Sequence, residues 1–224
     1  MKRCLSLLTA ALIALSMLAG CADSARQSIS APTQAPRVVG DYVRTADIRT
    51  ITESTADDAR YRIPEILLSG DDAERMNAEI AQLCRTQIGE GEVSSCSGID
   101  YLAFLNNDIL SVAVTLTYEG GGQDSYVCNL DVKTLEGLDN EGLCEKTGRL
   151  YDVVLMSLER LAKEDYEKRF SEEIIQEELY DKTFSNENLQ RAELYLGEDG
   201  HLCAAFTAYI GAGSGRVLMN VVIE

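Results

Sequence analysis

Tryptophan is absent from this sequence, and histidine occurs once, at His201. A single imidazole excludes a multi-histidine metal site within one chain. His201 follows Asp199-Gly200, a turn where an exposed polar residue is expected, so no catalytic role is assigned to it. Cations are also scarce: 20 Lys and Arg face 37 Asp and Glu, a net charge of −17. Nucleic-acid affinity comes mostly from cations meeting phosphates, and binding flat on an anionic membrane needs basic patches, so the balance argues against both. An acidic surface favours solubility or a cationic partner. No Cys-x-x-Cys pair occurs, which removes zinc-knuckle and thioredoxin-like readings. Gly211, Gly213 and Gly215 lack a following Lys-Ser/Thr and form no phosphate loop. Asp139-Asn140-Glu141-Gly142 lacks the alternation of a calcium loop. Glycosidases use two carboxylates across a cleft, but pairs such as Glu172-Glu173 and Glu177-Glu178 have the spacing of an exposed acidic helix face. The expectation is a non-enzyme with no cofactor and no metal.

The N-terminus is more informative. Lys2 and Arg3 precede an apolar run from Cys4 to Met17, which ends at Leu18-Ala19-Gly20-Cys21. The run falls short of the roughly 20 apolar residues of a spanning helix. A basic start, an apolar core and small residues before a cleavage point are signal-peptide features. The stretch resembles a bacterial lipoprotein signal ending in its lipobox. That resemblance implies removal of residues 1–20 and a diacylglycerol thioether on Cys21, which becomes the first residue. It places the protein at the cell membrane, lipid-anchored on the extracytoplasmic face, because two acyl chains hold where one is marginal. Without Lys2 and Arg3 the remaining chain has 18 cations against 37 acids, a formal charge of −19. Residues 21–40, rich in Ala, Ser, Gln, Thr and Pro, read as a flexible linker spanning on the order of 25 Å.

Residues 41–224 then form one domain. Tyr42 to Ile51 and Tyr61 to Leu68 are expected strands, the second at an edge because of Pro64. Asp71 with Glu74 opens a helix to Ile88, whose stripe is Met76, Ile80, Leu83, Cys84 and Ile88; Gly89-Glu90-Gly91 ends it. Ile99 to Leu105 is a strand apolar on both faces. Asp108 to Tyr118 and Ser125 to Lys133 alternate, which predicts one buried and one wetter face. Asn106-Asn107 marks the first turn of this meander and Glu119 to Asp124 the second. Leu135 to Gly148 reads as a polar connection. A helix follows from Leu150 to Phe170, then an acidic helical segment from Ser171 to Tyr180. Asp199-Gly200 predicts a hairpin and Arg216 to Glu224 a last strand. The fold class expected is α+β: an antiparallel sheet, meander plus C-terminal hairpin, packed by two main helices. Of the five cysteines after Cys21, Cys84, Cys128 and Cys203 fall on apolar faces and read as small hydrophobes. Cys96 and Cys144 complete an odd set, which leaves at least one thiol unpaired and the pairing open.

Three stretches carry a family likeness: Tyr61-Arg-Ile-Pro-Glu65 leading to Asn77; Asp108-Ile-Leu-Ser-Val112 leading to Tyr126-x-x-Asn129-Leu-Asp131; and Glu198-Asp-Gly-His-Leu202 leading to Phe206, Tyr209 and Gly215. Over residues 41–224 the chain resembles the extracytoplasmic domain found before peptidoglycan deacetylase modules and as the ectodomain of lysozyme-sensing anti-sigma factors. The likeness implies an α+β domain. Relatives often have a Gly-Gly-Ala-His-like turn, where this chain has Gly120-Gly121-Gly122-Gln123-Asp124. The sequence carries neither a deacetylase module nor a cytoplasmic sigma-binding region, so neither activity transfers. The expected contact surface is that exposed turn on a rigid sheet, flanked by Tyr118 and Tyr126. The expected function is a non-enzymatic binding or sensing module for a cationic protein such as a lysozyme-like hydrolase; the alternative is a module binding cell-wall glycan for a separate enzyme.

Overall fold

The computed structural model describes residues 39–47, 60–88, 96–171, 176–211 and 215–223. The chain divides into two units, Met1–Ala35 and Pro36–Glu224; Cys21, the signal and most of the linker lie outside the described residues. Among the described residues, nine strands and several helices make the second unit an α+β domain with antiparallel sheets.

A small sheet pairs β1 (Val43–Thr45) with β2 (Pro64–Ile66). These are shorter than the sequence suggests; residues 48–51 of the first expected strand lie outside the described residues. Pro64 sits at the end of this two-stranded ladder, where its missing N–H is tolerated. Helix α1 (Asp71–Ile88) follows and buries Ala73, Met76, Ile80 and Cys84. Its Asn77 amide accepts from the Ile66 N–H and donates to the Ile66 carbonyl, both at 2.8 Å, which pins β2 to the helix.

Strands β3 (Cys96–Asn106), β4 (Ile109–Tyr118), β5 (Gln123–Asp131) and β6 (Gly137–Leu138) form an antiparallel sheet in that order. The first hairpin turn lies one residue later than expected: Asn107 and Asp108 carry positive φ, 51° and 63°. Two positive φ values in a row are what a type I′ turn requires, and Asn and Asp tolerate them. The polar connection also holds structure: β6 and a short helix α2 (Asn140–Lys146), capped by the Asp139 carboxylate, which accepts from the Gly142 N–H at 2.7 Å. Helix α3 (Tyr151–Arg169) buries Val154, Leu158, Ala162 and Tyr166. Two short helices follow, α4 (Glu177–Thr183) and α5 (Asn186–Gln190); Glu172-Glu173 lie outside the described residues. Strands β7 (Glu193–Leu196), β8 (Leu202–Tyr209) and β9 (Arg216–Ile223) make a second sheet in chain order.

These elements stack in four layers. One face of the first sheet (Leu110, Val112, Val114, Leu116, Cys128, Leu130) packs on α1. One face of the second sheet (Leu194, Leu196, Leu202, Ala204, Phe206, Met219, Val221, Ile223) packs on α3. Between the sheets lies a thin cluster of Tyr195, Cys203, Ala205 and Leu218, with Phe104 and Val127 against it. Strand β5 touches β7, β8 and β9 in turn, while β7 touches β3, β4 and β5. The strands of the two sheets therefore cross rather than align.

This corrects the expected wet face of the meander. Ser111 and Asn129 are buried, at 0% and 4% exposure, because the second sheet covers them. Their polar atoms cap the outer edge of β7. Asn129 Nδ2 donates to Leu194 O at 2.8 Å, Leu196 N–H donates to Ser111 Oγ at 3.0 Å, and Ser111 Oγ donates to Asn129 Oδ1 at 2.6 Å. Asn140 Oδ1 accepts from the Leu194 N–H, and Asn106 Nδ2 donates to Gly197 O. In return, the Glu193 carboxylate accepts from Ser125 Oγ at 2.6 Å and from the Val127 N–H, on the outer edge of β5. Two sheet edges thus blunt each other with side chains where a further strand would otherwise pair. All five described cysteines are free and buried.

Candidate binding surface

The residues expected to form the contact surface separate into two places. Tyr118 closes β4 and Gln123 opens β5; between them the turn is held by Tyr118 N–H to Gly122 O at 2.8 Å and Gly121 N–H to Tyr118 O at 3.0 Å. Gly120 and Gly121 have φ of +90° and +87° with open space around them, so this turn needs glycine for its backbone and not for crowding. Gly120 and Gly121 are exposed, whereas Gly122 is buried.

A side chain from the far end of the sequence completes this place. The Arg216 guanidinium lies over the Tyr118 ring at 5.3 Å and meets the Asp124 carboxylate at 3.1 Å. Burial, followed by the charge of Asp124, pushes the Tyr118 phenol up to about 12. Tyr118 therefore stays a neutral phenol across the neutral pH range, with its ring under Arg216 and its hydroxyl bonded to Asp124. Gln123 reaches Thr117 Oγ1 at 3.5 Å. Thr117 also lines a shallow concavity of about 350 Å³ with Arg60, Arg62, Ser97, Gly98 and Asp100. The turn thus adjoins a polar depression at one end of the first sheet.

Tyr126 does not belong to this turn. It lines a second groove, of about 460 Å³, between α1, β5, β6 and the start of α2. Its hydroxyl donates to Glu79 Oε2 at 2.5 Å. Glu79 Oε1 accepts from Arg75 Nη1 at 2.9 Å; Arg75 also bonds Asp72 Oδ1, and Asp72 Oδ2 accepts from the Gly137 N–H at 2.8 Å. Tyr126 and Arg75 hold the Glu79 carboxyl below its usual range, while the Gly137 N–H and Arg75 do the same for Asp72. Burial and the bond to Glu79 push the Tyr126 phenol up. Each acid in this string already has its donors, so the string works as a clamp tying α1 to β5 and β6. A Cβ at Gly137 would lie 2.9 Å from Met76 Cε, which shows how closely the helix approaches.

Sequence reasoning missed Arg216, Arg75, Glu79 and Glu193. The Asp72–Arg75–Glu79 spacing was visible as an ion-pair pattern on one helix face, but nothing in the sequence linked it to Tyr126 or Gly137. Among the described residues no group of three His, Cys, Asp or Glu could hold a metal ion. No described helix is long and apolar enough to cross a membrane. The sequence matches no known family model and no curated protein.

Proposed function

We propose that this chain is a lipid-anchored, non-enzymatic binding module at the extracytoplasmic face of the membrane, and that its partner is a cationic protein of the lysozyme-like kind. The observation that carries this reading is the charge surplus. Against a net charge of −17, cations such as Arg44, Arg62, Arg75, Lys133, Lys146 and Arg216 each meet a carboxylate. The surplus carboxylates therefore set the sign of the field, which steers cations and speeds their encounter. The glycine turn beside Tyr118 supplies an exposed contact point on a rigid hairpin.

The test is a pull-down of a basic lysozyme by the chain at low and high salt. Capture at low salt that fades at high salt supports the reading; no capture at either salt overturns it. Sedimentation with purified cell wall separates it from the glycan alternative, because protein capture needs no glycan. The anchor has its own test. Cys21→Ala should release the protein or leave it as a longer precursor, and a mature membrane-bound Cys21→Ala protein would refute the lipid assignment.

A further inference from the structure

The outer edge of β3 is the exposed feature that the glycine turn and the clamp leave unexplained. Apolar residues on both faces suit an interior strand, yet β3 is outermost in its sheet. Its inner edge pairs with β4 along almost its whole length. On its outer edge, Ile99 exchanges hydrogen bonds with Arg60 and Arg62, and the Tyr101 N–H donates to Asp100 Oδ1, all at 2.8 Å. The alternation then turns the N–H and C=O of Ala103 and Leu105 outward. Among the described residues none bonds them. Leu102 is 60% exposed, and Tyr101, Ala103, Phe104 and Leu105 are half-buried. No charge falls between Asp100 and Asp108. The edges of β5 and β7, by contrast, are capped by Glu193, Ser111, Asn129 and Asn140. Strand β9, outermost on one side of the second sheet, keeps a plain alternation with one face buried and offers Asn220 and Val222 outward.

We infer that the β3 edge over Tyr101–Leu105 receives an extended segment of the cationic partner as an added strand. This rests on the function proposed above and names the mode of contact. The incoming backbone bonds Ala103 and Leu105, its apolar side chains lie against the half-covered faces of β3, and its basic residues flank the uncharged stretch. The exposed acidic Glu198-Asp199 turn stands at one end, where Gly200 lies against Asn106, while at the other Asp100 is paired with Arg62. Charge favours this occupant over a second copy, which would bring −17 against −17.

The experiment uses the full chain and two synthetic probes, acetyl-Lys-Val-Thr-Val-Thr-Val-Lys-amide and the same peptide N-methylated at every residue between its two lysines, which removes the donors of both edges. Their charge and side chains are identical, but the second cannot form a ladder. The parent peptide is expected to bind, to slow amide exchange at Ala103 and Leu105 at least tenfold, and to bind at least tenfold more tightly than the methylated one. Ala103→Pro removes an outward N–H without touching the β4 ladder and should lower affinity at least tenfold; Leu102→Lys should do the same. Equal binding of the two peptides overturns strand addition while leaving the cationic-partner reading intact. If neither peptide nor a basic lysozyme binds, both readings fall. Protection of the Ala103 and Leu105 amides before any peptide is added also overturns strand addition. Sedimentation then assigns the cover to a second copy or to the chain itself.

Discussion

Replacing Asn129 by Ala should be the most damaging single change to a polar residue in this domain. Its amide donates to Leu194 O and accepts from Ser111 Oγ, 65 and 18 residues away in sequence. Truncation leaves Leu194 O buried without a donor, at about 1–3 kcal/mol, and removes a second hydrogen bond worth about 1 kcal/mol. The total is about 3 kcal/mol, a large part of the ~5–15 kcal/mol that holds a typical domain. At this size that predicts a fall in melting temperature of about 6–12 °C. Urea unfolding followed by circular dichroism under reducing conditions reads it directly. Ser111→Ala should cost less, since it strands the Leu196 N–H but leaves Asn129 bonded to Leu194. The double variant should show a coupling of about 0.5–3 kcal/mol. An Asn129→Ala variant within about 0.5 kcal/mol of the parent, the range of an ordinary surface change, would refute the claim that these side chains seal the joint between the sheets.

Three further outcomes follow from the same packing. Burial raises the Glu193 carboxyl above its ordinary value despite its bonds to Ser125 and Val127. The folded protein thus holds that proton more tightly, and this contribution to stability is present below the unfolded glutamate value and lost as pH rises through the folded one. Glu193→Gln should flatten the stability profile in that window, so parallel profiles for the two proteins would argue against it. Asp131 has the opposite sign: Lys146, then the N–H groups of Lys133 and Thr134, hold it below the usual carboxylate range. Its contribution is present above the unfolded value near 4 and lost as pH falls through the folded one; Asp131→Ala should cost about 2 kcal/mol at pH 7 and shrink the acid limb of the urea midpoint. Finally, Cys84, Cys96, Cys128, Cys144 and Cys203 are all buried, and burial pushes the Cys84 and Cys128 thiols up to about 12. A thiol-reactive dye should label these five only after denaturation, and rapid labelling of any of them in the native protein would contradict their burial.

Local signals were readable and joints between distant segments were not. Helix α1 runs over the residues its cap and apolar stripe indicate, because both signals lie within 18 residues. Alternation along β4 and β5 correctly separates Leu110, Val112 and Val114 from Ser111 and Ala113. What it misreads is the environment of the second set. Short polar side chains at alternate positions look the same whether they meet water or the edge of another sheet, and Ser111 meets Leu196, 85 residues on. Helix α2 has 7 residues, too few for a 3.6-residue period to show, although Asp139 three residues before Gly142 was a usable cap signal. At the candidate surface, the glycine turn was legible from composition. Its companion Arg216 was not, because a cation stacked on Tyr118 and paired with Asp124 leaves no mark on the sequence near either. Tyr126 was assigned to the turn by proximity in sequence, but the pleat carries it to Glu79 on α1.

The mutual capping of β5 and β7 also bears on how the chain is made. Asn129 leaves the ribosome 65 residues before Leu194, a wait of roughly 3–13 s at ordinary synthesis rates. During that interval the meander carries Ser111, Asn129 and the Ser125–Val127 part of the outer edge of β5 without β7 to cover them. The nascent first half is the stage most exposed to wrong pairing, and a segment arriving much later, Glu193–Leu196, closes it.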